Sequence, residues 1–255
     1  HRIAYGIATG RYVPTRVLAL SFTTRAADEM RVRLRALGAV GVQARTFHSA
    51  ALRQLRFFWP QAVGGTEPRI ISHKAQLITE AAQRLRISAD RALIRDLAAE
   101  IEWAKVNMYT YDTLMPHLAD RVLPSDITPI NMCRLFKAYE DLKDERNIID
   151  FEDVLLLTVG VLEDDEQVAA AVRQQYRHFV VDEYQDVNPA QEQLIRLLSK
   201  PHGTADVVVV GDDDQAIYQW RGSNVDNIVS FKDRYPGVTQ FNLLINRRSR
   251  PGIVQ

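Results

Sequence analysis

The chain has 255 residues, 46% of them hydrophobic and 25% charged, which supplies a sizeable core for one large or two small domains and excludes a disordered or low-complexity protein. Its 32 basic and 32 acidic residues cancel, so no global positive field marks a nucleic-acid binder, although a single local groove would not need one. Cys133 is the only cysteine, which excludes an internal disulfide and a cysteine-rich metal site; with no apolar run of membrane-spanning length, a cytoplasmic setting is expected.

Short apolar runs alternating with helical patterns predict an α/β fold with a parallel sheet flanked by helices. Strands are expected near Val17–Phe22, Val42–Thr46, Phe179–Asp182, Val207–Gly211 and Val238–Ile245. After the first, Ala27, Met30, Leu34 and Leu37 fall at helical spacing, and Gly38 can supply the left-handed residue that ends the helix. From about Ala62 to Arg146 the pattern turns to helices alone. Leu77, Ile78, Ala81 and Leu85 make one apolar face, and Leu93, Ile94, Leu97 and Ile101 another. Thr128-Pro129 opens a third helix bearing Met132, Leu135, Phe136, Tyr139 and Leu142. An all-helical block between strands of one sheet reads as an inserted subdomain, with the turn-rich stretch Pro60–Pro68 leading into it.

Three of the strand runs end in polar residues: Thr23 and Thr24, Asp182 and Glu183, and Asp212 to Asp214. Ligands of open α/β sheets bind beyond the carboxyl ends of the strands, so these residues are expected to share a crevice. In Phe179-Val180-Val181-Asp182-Glu183 the apolar run ends in paired acids, a pattern that suits metal binding by one carboxylate and water activation by the other. An acidic strand end that merely begins a loop is the plain alternative. Asn188 and Pro189 read as the cap and first residue of the next helix. Gly211-Asp212-Asp213-Asp214-Gln215-Ala216-Ile217-Tyr218-Gln219-Trp220-Arg221-Gly222 then sets carboxylates and a glutamine beside two aromatics and an arginine. One end suits a phosphate and its metal, the other a stacked base. Asp150 and Asp153 read as a helix cap and a first-turn charge.

Asp182-Glu183-Tyr184-Gln185-Asp186 followed by that glycine-bounded segment resembles the UvrD/Rep/PcrA branch of superfamily 1 DNA helicases. Val17 to Met30 is similar to the family's motif Ia, and Thr46-Phe47-His48-Ser49 to its next DNA-contacting motif. Asp150-Phe151-Glu152-Asp153 resembles the acidic motif before the Walker B strand, and Asn246-Arg247-Arg248-Ser249 resembles motif IV. His1–Arg16 and Ala44–Phe58 look most like UvrD-type helicases of actinobacteria. The resemblance implies a RecA-like P-loop NTPase first motor domain (residues 1–61 and 147–245), a helical insertion subdomain (62–146), and the start of a second motor domain (246–255). It implies a 3′→5′ helicase or translocase in DNA repair or replication that uses ATP and Mg²⁺. Its partners would be single-stranded DNA, single/double-strand junctions and DNA repair proteins.

By the same resemblance, Asp182 is the Mg²⁺ partner and Glu183 the catalytic glutamate. Gln215 senses the γ-phosphate, and Arg248 reaches it as an arginine finger. Thr46, Phe47, His48, Tyr218, Trp220 and Arg221 line the single-strand path. Arg247 stands where the family usually has an adenine-stacking Tyr, so a guanidinium plane would take that place. The family's phosphate loop, Gly-x-x-x-x-Gly-Lys-Thr, is not in the sequence. Its expected place is just upstream of His1, so the chain reads as a fragment with negligible hydrolysis of its own. Two competing readings remain open: a non-hydrolysing DNA-binding or scaffold module, and the helicase subunit of a recombination helicase–nuclease.

Overall fold

A computed structural model describes residues 1–124, 126–199, 206–246, 249, 250 and 252. Helix α1 (Arg2–Ala8) precedes strand β1 (Val17–Ser21), followed by α2 (Thr24–Ala36), β2 (Gln43–Thr46) and α3 (Phe47–Ala62). A short strand β3 (Arg69–Ile70) leads to α4 (Ala75–Arg84), α5 (Arg91–Val106) and α6 (Pro129–Glu145), and then to β4 (Ile148–Ile149). The chain continues through α7 (Phe151–Asp164), α8 (Glu166–Gln175), β5 (His178–Val181), α9 (Pro189–Ser199) and β6 (Asp206–Val209). Two one-turn helices, α10 (Asp226–Val229) and α11 (Phe231–Arg234), close the sequence of elements.

The main sheet has four strands in the order β2-β1-β5-β6, and every neighbouring pair is parallel. Side chains alternate across a strand, and the two faces carry separate cores. Leu18, Leu20, Phe179 and Val181 face α3, α7, α8 and α9, meeting Phe47, Val154, Val172 and Leu194. Val17, Ala19 and Val180 face the other way, toward Ile3 of α1 and Leu34 of α2. Both faces of β1 are therefore covered, as its apolar run Val17-Leu18-Ala19-Leu20 requires. A third core binds α4, α5 and α6 through Leu77, Ile78, Leu97, Ile101, Leu135, Phe136 and Tyr139. Each such side chain contributes about 1.5–3 kcal/mol relative to exposure. No helix among the described residues is long and apolar enough to cross a membrane.

Caps explain most helix starts. Thr23, Thr46, Asp90 and Thr128 each accept the backbone N–H three residues on. Asn188 and Gln191 exchange side-chain and backbone bonds in a reciprocal cap before α9. Gly38 has φ +79° beyond the end of α2, the conformation expected of it.

Two sequence expectations fail. Val238–Ile245 forms no strand among the described residues, and Phe241, Leu243, Leu244 and Ile245 are exposed. A strand pattern shows only that a segment can pair, and this one joins neither sheet among the described residues. The turn-rich reading of Pro60–Pro68 also shifts, because α3 runs through Pro60 to Ala62. Pro60 removes the intrahelical bond that its N–H would give to the carbonyl of Arg56, and packing of the buried Phe58 and Trp59 holds the turn.

Candidate nucleotide and nucleic-acid site

Because the four main strands are parallel, their carboxyl ends lie along one edge of the sheet, and the following loops share that edge. Ser21 is in register with Thr46, Leu20 with Val181, and Val181 with Val209. The backbone N–H of Asp182 continues the ladder by donating to Leu20 O at 3.0 Å. Glu183 then takes φ +52°, a left-handed conformation uncommon for a non-glycine residue and concentrated at functional sites. This reversal leaves Glu183 exposed while Tyr184 and Gln185 turn into the core.

Gln185 joins the two loops. Its Nε2 donates to Glu183 Oε2 at 2.8 Å, and its Oε1 accepts the N–H of Asp212 at 3.0 Å. Asp212 in turn accepts a 2.6 Å hydrogen bond from Nε2 of Gln215 through Oδ2. An unbroken chain of hydrogen bonds thus runs Glu183–Gln185–Asp212–Gln215. Tyr184 N–H donates to Val210 O at 2.9 Å and fixes the loops side by side. Gly211 permits this approach: a Cβ there would lie 2.6 Å from Gln185 Oε1 and 2.7 Å from Ile228 Cδ1. Below, the Tyr184 hydroxyl donates to Glu192.

Asp182 is half-buried; burial first, and then the neighbouring Glu183 carboxylate, push its pKa up. Asp186 is shifted the same way by burial, and its Oδ1 is buried with no hydrogen-bond partner. No Lys or Arg pairs with Asp182, Glu183 or Asp186 among the described residues. Hard oxygen donors without a cationic partner fit a Mg²⁺ ion, whose charge would favour their ionised form.

The aromatic half follows directly. Ile217, Tyr218 and Trp220 are exposed, Trp220 to 70%. Gly222 has φ +92°, and a Cβ on it would lie 2.5 Å from Val106 Cγ2 and 3.1 Å from Asn107 Nδ2. The loop is therefore seated on the last turn of α5. Thr46 caps α3, and His48 stacks on Phe151 with ring centroids 3.9 Å apart at 13°. Phe47 is corrected: at 1% exposure it is a core residue packed against Phe22, and it offers no face to a ligand. The side chain of Arg221, and Arg247 and Arg248 altogether, lie outside the described residues.

The sequence matches the UvrD/REP helicase N-terminal domain over residues 1–236. The chain belongs to this family. It is 39% identical to the ATP-dependent DNA helicase UvrD2 of Mycobacterium tuberculosis (strain H37Rv), with all of the chain and 38% of that protein aligned. It is 32% identical to the ATP-dependent DNA helicase PcrA of Leuconostoc citreum (100% and 34% covered) and 31% identical to DNA helicase II of Escherichia coli K12 (100% and 35%). The chain thus spans little more than a third of the length of these relatives. For a UvrD/REP helicase N-terminal domain, the parallel sheet flanked by helices is the RecA-like motor fold.

Three features of this family member escaped the sequence. Nothing in the spacing marks Gln185. Phe151, inside an acidic tetrapeptide read as a helix start, proves 52% exposed and stacked on His48. Asp150 and Asp153 do form a reciprocal cap on α7, but they also lie buried against Lys105 and Lys143. With Glu140 they bring three carboxylates within metal-binding reach, yet the two ammonium groups already occupy them.

Burial lowers the His48 pKa from the ordinary 6.5 to about 4, so the ring is neutral at pH 7 and meets a ligand as a stacking face rather than a cation. An NMR titration is expected to show its imidazole shifts moving near pH 4. Between about pH 6.5 and 4 the unfolded chain binds the extra proton and the native chain does not, so this residue's contribution to stability declines as pH falls through that window.

Proposed function

We propose that this chain is most of the first motor domain of an ATP-dependent DNA helicase of the UvrD type, translocating 3′→5′ on single-stranded DNA in the cytoplasm. Residues 1–61 and 147–245 would form the motor body, 62–146 an inserted helical subdomain, and 246–255 the start of a second motor domain. The observation that carries this reading is the hydrogen-bonded chain from Glu183 through Gln185 and Asp212 to Gln215. It links the acids at the end of β5 to the loop that carries Tyr218 and Trp220.

In this reading Glu183 accepts a proton from the attacking water, and Asp182 holds Mg²⁺, which when bound supplies charge to offset that on the phosphates. Gln215 and Arg248 meet the γ-phosphate, and Arg247 stacks on the base of the nucleotide. Movement of Gln215 on phosphate loss would pull on Asp212 and hence on the aromatic loop. Tyr218 and Trp220, with Arg221, Thr46, His48 and Phe151, would hold successive bases without reading sequence, because every base has a π-face. Relatives named ATP-dependent DNA helicases support the same assignment.

Trp220→Ala in the full-length protein is expected to weaken oligothymidine binding about five- to hundredfold, read by fluorescence anisotropy, with the circular dichroism spectrum unchanged. Undiminished affinity would remove Trp220 from the DNA path and with it the strongest support for the aromatic half of the site.

A further inference from the structure

The helical block reaches the sheet edge through three lysines. In Asp150-Phe151-Glu152-Asp153 every acidic side chain is held by one or more of them. Asp150 accepts from Lys105 Nζ at 2.8 Å and from Lys143 Nζ at 3.5 Å. Asp153 pairs with Lys105 and, at 2.5 Å, with Lys143. Glu152 pairs with Lys74. Tyr139 OH adds a 2.9 Å bond to Asp150. Phe151 is the one side chain of the four that is left outward, and its ring lies flat on His48. A tetrapeptide so fixed has little freedom to swing that ring.

The same helix end grips the other aromatic face. Lys105 is followed by Val106 and Asn107, the two residues whose side chains come closest to Gly222 at the foot of the Trp220 loop. One turn of α5 therefore touches both the element that aims Phe151 and the loop that carries Trp220. We propose that Lys74, Lys105 and Lys143 are positioning residues, and that the end of α5 sets the separation of two base-stacking faces, Phe151–His48 and Tyr218–Trp220. The inference rests on the assignment of these aromatics to single-stranded DNA.

A double-mutant cycle on the full-length protein tests it, with a 2-aminopurine-labelled oligothymidine as the probe. Phe151→Leu is expected to weaken binding about five- to hundredfold and to restore 2-aminopurine fluorescence as stacking is lost. Lys105→Met should do much the same alone and add little in the Phe151→Leu background, because it acts through that ring. Should Lys105→Met not fold, Lys74→Met supplies the same comparison from the less buried end of the clamp, and Lys74→Arg, which keeps the ion pair, should retain wild-type affinity. Additive losses, or a lysine substitution that leaves affinity and fluorescence unchanged while Phe151→Leu lowers both, would overturn the clamp. Unchanged binding by Phe151→Leu itself would instead remove Phe151 from the DNA path, a failure of the underlying assignment.

Discussion

Glu183→Gln in the full-length protein is expected to lower ATP turnover by about a hundred- to ten-thousandfold while single-strand affinity stays within a factor of about two. The substitution removes a proton acceptor and little else. Gln185 Nε2 donates to one Glu183 oxygen at 2.8 Å, and an amide oxygen can accept that bond as well as a carboxylate. The left-handed backbone at residue 183 is set by the flanking ladder bonds of Asp182 and Tyr184, neither of which involves the side chain. Loss of the neighbouring charge should also let the Asp182 pKa, raised by burial and then by Glu183, move back toward its ordinary value, so the carboxylate proposed to hold Mg²⁺ is not weakened. Steady-state phosphate release and anisotropy with labelled oligothymidine check the two halves. Turnover that survives intact would mean that another group activates the water.

The parts of this site that the sequence displays are those in which local pattern and chemistry coincide. An apolar run ending in Asp182-Glu183 is a buried strand whose last residues must emerge at the sheet edge, so strand and acids are read together. The caps at Thr46, Thr128 and Asn188 are equally local. Long-range pairing has no such signature. Gln185 is one glutamine among many until Asp212, 27 residues on, donates to it. Phe47 and His48 are adjacent at a helix start, and only the turn of α3 decides that the first enters the core and the second meets Phe151. The run Val238–Ile245 fails for the complementary reason: its pattern states a capacity to pair, and pairing depends on a neighbour.

Lys105 is the extreme case, since a lysine near the end of an amphipathic helix reads as a solvated side chain, yet it is 2% exposed. Its carboxylate partners Glu140, Asp150 and Asp153 lie 35, 45 and 48 residues away in sequence. Lys105→Met is expected to destabilise the protein by about 3–5 kcal/mol, measured as a fall in the urea midpoint at constant slope. The cost comes mainly from what stays behind. Burial alone would depress the lysine pKa, but Asp150, Asp153 and Glu140 outweigh it and hold it above the ordinary range. Burial would likewise raise the Asp150 pKa, yet Lys105 and Lys143 keep it far below the usual carboxylate value. With Met at 105, Asp150, Asp153 and the partly buried Glu140 share Lys143 alone. An exposed pair such as Arg25–Glu29, with side chains 89% and 55% accessible, should by contrast lose less than about 1 kcal/mol when broken. Because the folded pKa of Asp150 is depressed, its contribution is fully present above about pH 4 and is lost as the pH falls further, so the gap between wild type and Lys105→Met should narrow in acid. A gap that stays below about 1 kcal/mol at neutral pH would mean that hydrophobic packing of α5 and α6, and not the ion cluster, holds the helical block to the start of α7.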